Sequence, residues 1–315
     1  MIEVENLVKR YGNQCAVDDL SFTVKEGQIV GFLGPNGAGK STTMNIITGY
    51  ISASSGTVRV DGHDILEEPE EAKKCIGYLP EQPPLYPDML VREYLSFVCD
   101  LKKVPKKDKE QVMRRVMRRT GVLDVSERLI KHLSKGYKQR VGLAGAMIGD
   151  PEILILDEPT VGLDPKQILE IRELILDLSK NHTILLSSHI MQEVSAVCNQ
   201  ILIINEGKLV VSGRPEEIPK YIEQAAEINL LIKGNKELVR SVLEAIPAVE
   251  HIDIEEEEDE EALCRVTVQS PAEEDVRERV FYALAEARCA ILEMSSKTPT
   301  LEEAFIRLTG KGGKQ

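Results

Sequence analysis

The 315-residue chain has no tryptophan, and aromatic residues make up only 4% of it. It therefore lacks the stacking platforms on which single-stranded nucleic acids are held. Positive charge is also in short supply: 39 Lys and Arg face 52 Asp and Glu, a formal net charge of −13. That balance argues against nucleic acid as the main partner, because phosphate backbones are bound through basic surfaces. The six cysteines, Cys15, Cys75, Cys99, Cys198, Cys264 and Cys289, include no C-x-x-C pair. A metal cluster needs such paired spacing, so each is expected as a small buried thiol in a reducing compartment. No apolar run approaches the roughly 18 residues that span a bilayer. Met1-Ile2-Glu3-Val4-Glu5 has neither the basic nor the apolar region of a signal peptide. These absences lead to the expectation of a cytoplasmic chain, still able to dock on a membrane protein.

What is present is a phosphate-binding pattern. Gly34-Pro35-Asn36-Gly37-Ala38-Gly39-Lys40-Ser41 matches G-x-x-x-x-G-K-[ST]. The apolar stretch Gln28–Leu33 before it reads as a buried strand, and Ser41–Thr48, which contains Thr42, reads as a helix stopped by Gly49. Glycines let the backbone wrap a phosphate chain with its N–H groups pointing inward, and the helix N-terminus adds partial positive charge. Lys40 is expected to reach the β- and γ-phosphates and the Ser41 hydroxyl to ligate Mg²⁺. The chain therefore binds a nucleoside triphosphate. Downstream, Ile153-Leu154-Ile155-Leu156 is a short buried strand ending in Asp157 and Glu158. Such a strand is expected beside the P-loop strand, with Asp157 holding Mg²⁺ through water and Glu158 as general base on the attacking water.

The order of elements predicts an α/β fold. Ile2–Val8 and Ser21–Val24 read as strands, with Lys25-Glu26-Gly27 as a hairpin turn, and Gly56–Val60 as a further strand. Residues 88–149 are mostly helical, including Val91–Cys99 and Lys109–Arg119. Strand and helix then alternate through Thr183–Leu186 and Met191–Cys198 to a hairpin of Ile201–Ile204 and Lys208–Val211, which points to a parallel core sheet with an antiparallel edge. Near residue 215 the charge shifts: residues 216–315 carry 12 Lys and Arg against 23 Asp and Glu. That break divides the chain into an ATP-binding domain, 1–215, and an accessory domain, 216–315. The second part reads as β-α-β-β-α-β plus a last helix, close to a ferredoxin-like split βαβ module. Its acidic run Glu255–Glu261 reads as a solvated loop. The basic stretch Lys102–Arg119 reads as a solvated face, although Arg114/Arg118 and Arg115/Arg119 are like-charge i,i+4 pairs.

Leu133-Ser134-Lys135-Gly136-Tyr137-Lys138-Gln139-Arg140 precedes a helix that Ser134 is placed to cap. With this segment residues 1–215 resemble the ATP-binding cassette (ABC) ATPase family. The segment looks like that family's signature motif, Ile153–Glu158 like its Walker B strand, and Pro159–Asp164 like its D-loop. Tyr11 looks like the aromatic that stacks on adenine, and His189 like the switch histidine that hydrogen-bonds the γ-phosphate. The resemblance implies a P-loop fold with a helical subdomain at about 88–149, and ATP and Mg²⁺ as ligands. It also implies a head-to-tail dimer in which Ser134, Gly136 and Asp164 of one copy meet the ATP held by the other. Ser134 and Gly136 lie at a second helix N-terminus, a second anion site that one chain cannot easily bring to its own phosphates.

One position departs from the family. Its usual Gln after the strand Ile76–Leu79 is replaced by Glu81, with Gln82 next. Either Glu81 serves as the metal ligand, which is the reading preferred here, or the loop shifts so that Gln82 does. The end of the chain, Leu301–Thr309, resembles cassette subunits of bacterial two-gene exporters that pair with a separate six-helix permease. The expectation is thus a transport ATPase on the cytoplasmic face of the membrane, exporting a drug-like or other hydrophobic compound. An importer cassette, or a cassette acting on DNA or the ribosome, is the alternative.

Overall fold

In the computed structural model, residues 1–221, 226–256, 263–271, 274–297 and 300–310 are described, and the chain divides into two compact units, Met1–Pro215 and Glu216–Leu308. Along the first, β1 (Ile2–Tyr11) and β2 (Gln14–Val24) are followed by β3 (Ile29–Leu33), α1 (Lys40–Ile47), β4 (Ser55–Val60), β5 (His63–Asp64), α2 (Pro69–Lys74) and β6 (Ile76–Leu79). Three helices come next: α3 (Val91–Leu101), α4 (Lys109–Arg119) and α5 (Lys135–Met147). Then β7 (Ile153–Asp157), α6 (Pro165–Leu178), β8 (Thr183–Ser188) and α7 (Met191–Ser195) lead to β9 (Gln200–Asn205) and β10 (Lys208–Gly213).

These strands form two sheets. One is antiparallel, in the order β2-β1-β4-β5; the other has six strands in the order β10-β9-β3-β8-β7-β6. In the second sheet every pairing is parallel except that of β10 with β9. Every residue of β3, β7 and β8 is buried, as expected where a parallel sheet is covered on both faces and its strands read as continuous apolar runs. Met44 and Ile47 of α1 fill one core with Phe22, Val58, Phe32 and Leu185, so a single cluster joins both sheets. Burying a side chain the size of Phe32 contributes about 1.5–3 kcal/mol.

Two expectations about these strands are corrected. Lys25–Gly27 closes a tight turn but no hairpin, because β2 belongs to the antiparallel sheet and β3 to the parallel one. The β1–β2 hairpin turns instead at Gly12-Asn13, where Tyr11 pairs with Gln14 and Gly12 has φ +56°. Nor does the Asp157 strand lie beside the P-loop strand: β8 is inserted between β3 and β7. One of the two like-charge pairs of α4 meets acids beyond the helix, Arg115 with Asp150 at 3.6 Å and Arg119 with Asp177 at 3.2 Å, which relieves its repulsion. All six thiols are free; Cys99, Cys198, Cys264 and Cys289 are buried, whereas Cys15 and Cys75 are only half-buried.

The second unit contains β11 (Ala226–Lys233), α8 (Lys236–Glu244), β12 (His251–Glu256), β13 (Leu263–Ser270), α9 (Arg277–Glu286) and β14 (Ala290–Lys297), with α10 (Leu301–Thr309) after them. The strands make an antiparallel sheet in the order β12-β13-β11-β14, the ferredoxin-like arrangement of a β-α-β-β-α-β chain. Alternate residues Cys264, Val266 and Val268 of β13 turn inward and join Val239, Leu243, Val280 and Leu284 of the helices in one core. Glu255 and Glu256, the start of the acidic run, belong to β12 and pair with Arg265 and Cys264 of β13, so the loop reading is corrected there; 257–261 lie outside the described residues.

Candidate active site

In a parallel sheet all strand C-termini emerge along one edge, and that edge is where α/β folds bind ligands. Here β3 delivers the Gly34–Gly39 loop, β7 delivers Asp157 and Glu158, β8 delivers His189, and β6 delivers Glu81. The loop turns tightly, Ala38 N–H donating to the Pro35 carbonyl at 3.1 Å, and α1 begins at Lys40 behind Gly39. Gly39 has φ +104°, and a Cβ there would stand 2.5 Å from the Ala16 carbonyl oxygen, so only glycine fits. The turn between β9 and β10 fastens this loop to the antiparallel sheet: Gly207 N–H donates to Ala38 at 3.0 Å, and the Gly207 carbonyl accepts from Asp18 N–H at 2.9 Å. Nothing in the local sequence pattern signalled that fastening.

A cavity of about 310 Å³ opens at this point. Pro35, Asn36, Gly37, Gly39, Lys40, Ser41 and Thr42 line it from the loop and α1, Tyr11, Gln14 and Ala16 from the β1–β2 hairpin, and Glu81 and Glu158 from the strand ends. The Tyr11 ring is half exposed, and the Lys9 ammonium lies 5.1 Å from its centroid. Glu81 lines the cavity; Gln82 does not. Gln14 and Ala16 were not anticipated, since nothing in their immediate sequence marks them.

Charge is concentrated at the back of the cavity. Lys40 Nζ donates to the Gly34 carbonyl at 2.7 Å and lies 3.9 Å from Glu158 Oε1. Burial pulls its pKa below the ordinary lysine value, while the carboxylates of Glu158, Asp157 and Glu81 oppose that pull. Glu158 is 7% exposed and has φ +48°, a left-handed conformation that a non-glycine residue holds only under constraint from its surroundings. Its N–H donates to Ser187 Oγ at 2.9 Å, and its Oε2 lies 2.9 Å from His189 Nδ1. Ser187 Oγ in turn donates to Asp157 Oδ1 at 2.5 Å. The insertion of β8 thus places Ser187 opposite Asp157 in register. The donor set around the loop, the Ser41 hydroxyl with the Asp157 and Glu81 carboxylates, is all hard oxygen and fits Mg²⁺.

The second predicted anion site is elsewhere. Ser134 caps α5, its Oγ accepting from Tyr137 N–H at 3.3 Å, and Gly136 is buried in the first turn. Gly136, Tyr137, Arg140, Asp164 and Gln167 line a separate cavity of about 710 Å³ that shares no residue with the first. Asp164 caps α6, accepting from Gln167 N–H at 3.0 Å, and the helix starts at Pro165. One chain accordingly presents two separate clefts: a loop with an acid and a histidine, and a capped helix terminus apart from it.

Residues 17–161 match the profile of the ABC transporter family. The chain is 34% identical over 320 residues to the bacitracin transport ATP-binding protein BcrA of Bacillus licheniformis, covering 99% of this chain and 98% of that one. It is 31% identical over 315 residues to the linearmycin resistance ATP-binding protein LnrL of Bacillus subtilis, covering 99% of each. Among solved structures, an ATP-binding subunit of an ABC transporter superposes with a TM-score of 0.64 at 30% identity, covering 70% of this chain and 92% of that one.

Proposed function

This chain belongs to the ABC transporter family as an ATP-binding subunit and ATPase, and from that premise we propose that it dimerises head-to-tail and powers a separate membrane permease that exports a hydrophobic or drug-like compound. The observation that carries the reading is the single cavity that gathers Tyr11, the Gly34–Ser41 loop, Glu81 and Glu158, in a chain that aligns along its whole length with relatives named for antibiotic resistance and antibiotic transport.

The chemistry follows from positions. Tyr11 stacks on the adenine ring, and the loop N–H groups with Lys40 hold the phosphates. Ser41, Asp157 and Glu81 would hold Mg²⁺, which would supply positive charge to neutralise the phosphates. Glu158 takes the proton of the attacking water. His189, held against Glu158 at 2.9 Å, contacts the γ-phosphate. Each copy's Ser134, Gly136 and Asp164 complete the site of the other, which is why the two cavities of one chain stand apart. ATP binding closes the pair and hydrolysis reopens it.

Among the described residues no helix is long and apolar enough to cross a membrane; the proposed scheme gives the membrane step to the partner permease and sets this chain at the cytoplasmic face. Co-expression with a candidate six-span permease tests the reading. A stable detergent-solubilised complex, with ATPase activity several-fold above that of the chain alone, is the expected result. A chain that stays separate from the permease, with unchanged turnover, overturns it.

Glu81 supplies a finer test. Glu81→Ala is expected to lower ATPase activity by at least about tenfold and to raise the Mg²⁺ concentration for half-maximal activity. Gln82→Ala is expected to change both little. A larger loss from Gln82→Ala would transfer the role to Gln82.

A further inference from the structure

Behind the Glu158–His189 contact lies a buried carboxylate that the scheme above leaves unused. Glu193, on α7, is 5% exposed and has no cationic partner among the described residues. Its Oε2 accepts a short hydrogen bond from Thr160 Oγ1 and a longer one, 3.4 Å, from Ser188 Oγ. Thr160 stands two residues after Glu158, and Ser188 immediately precedes His189. Both are buried. Ser188 Oγ also accepts from Ile190 N–H at 3.0 Å, which pins the backbone on the far side of His189.

We infer that Glu193 is a positioning residue that sets the distance between Glu158 and His189, and so governs turnover rather than nucleotide affinity. Both hydroxyls donate to Glu193 Oε2, so their rotamers are determined. A buried polar group is costly unless hydrogen bonds satisfy it, and here those hydrogen bonds tie the segment after β7 to the segment after β8. Ser187 makes the first tie between the two strand ends, through Asp157 and the Glu158 N–H. Glu193 makes the second, on the other side of the reacting pair. With only one tie, Glu158 and His189 can rotate apart without any change in the loop that holds the phosphates.

The inference rests on the roles assigned above to Glu158 and His189, and the experiment separates the two. In the full-length chain, Glu193→Ala and Thr160→Val are each expected to lower kcat by at least about tenfold, the cost of small misplacement near reacting groups, with KM for ATP and Tm nearly unchanged. Glu193→Gln is expected to return kcat to within about threefold of wild type, since an amide oxygen in the place of Oε2 can still accept from both Thr160 and Ser188. The Glu193→Ala/Thr160→Val double variant is expected to be no worse than Glu193→Ala, because that change already removes the hydrogen bond that Thr160→Val removes. Wild-type kcat in Thr160→Val, additive losses in the double variant, or KM rising in step with falling kcat would each overturn the inference. If Glu193→Ala fails to fold, Thr160→Val and Glu193→Gln decide it alone: normal kcat in the first, or a Gln variant as slow as Thr160→Val, overturns it. A fault in the Glu158 assignment shows separately, as normal turnover in Glu158→Gln.

Discussion

Replacing Glu158 with Gln is expected to lower ATP turnover about a thousandfold while leaving nucleotide binding intact. The amide cannot take a proton from water, and general-base assistance is worth roughly 10²–10⁴-fold. Packing is preserved, because Gln has the same shape and its amide oxygen can still accept from His189 at the 2.9 Å separation seen for the carboxylate. Removing the charge also takes one negative group away from the position of the γ-phosphate, beside Lys40 Nζ. ATP is then bound and not spent, so a closed pair accumulates. Phosphate release in single-turnover mixing measures the first effect, and scattering of the variant with Mg-ATP measures the second. Turnover at the wild-type rate would remove Glu158 from the role of base.

Gly136→Asp is expected to be nearly as severe for a different reason. Gly136 lies in the first turn of α5, and a Cβ placed there meets only the side chain of Gln167 at 2.7 Å, a flexible neighbour that can give way. The fold should therefore survive. The added carboxylate sits at the helix N-terminus, where a partner copy's γ-phosphate would dock, and turns a favourable anion site into a repulsive one. ATP affinity of the single copy is expected to stay near wild type, because the loop cavity shares no residue with this one. Turnover is expected to fall by about 10²–10³-fold, the usual loss when a donor to developing phosphate or oxyanion charge is disabled. Titration with a fluorescent ATP analogue, alongside steady-state phosphate release, separates the two quantities. A variant that binds and hydrolyses normally would show that each copy works alone.

The two variants probe different kinds of information. The Gly34–Ser41 loop could be read directly because its function is local: consecutive backbone N–H groups and one lysine meet a phosphate chain within a single turn. Asp157-Glu158 could be proposed because an apolar run that stops at two acids gains a specific meaning downstream of a phosphate loop, whereas alone it also fits a strand ending in solvated acids. Tyr11, Ser134, Gly136, Asp164 and His189 came from resemblance to a family, and the structure gives them unequal positions. Tyr11 joins the loop cavity, and His189 touches Glu158. Asp164 caps α6 and, with Gly136, lines the second cavity.

The sequence by itself determined that the chain carries a triphosphate loop, and it proposed a metal-binding acid, a base and a second anion site that one chain cannot easily bring to its own phosphates. It determined this because each of those features is written in adjacent residues whose backbone geometry is local. Only the tertiary structure decided that β8 separates the P-loop strand from the Asp157 strand, that Ser187 bridges Asp157 and Glu158, and that Glu193 reaches Thr160 across 33 positions of chain. Buried parallel strands all read as the same apolar run, so their order is invisible to local pattern. It is set by which faces pack and which crossovers close, and those interactions exist only once distant segments have met.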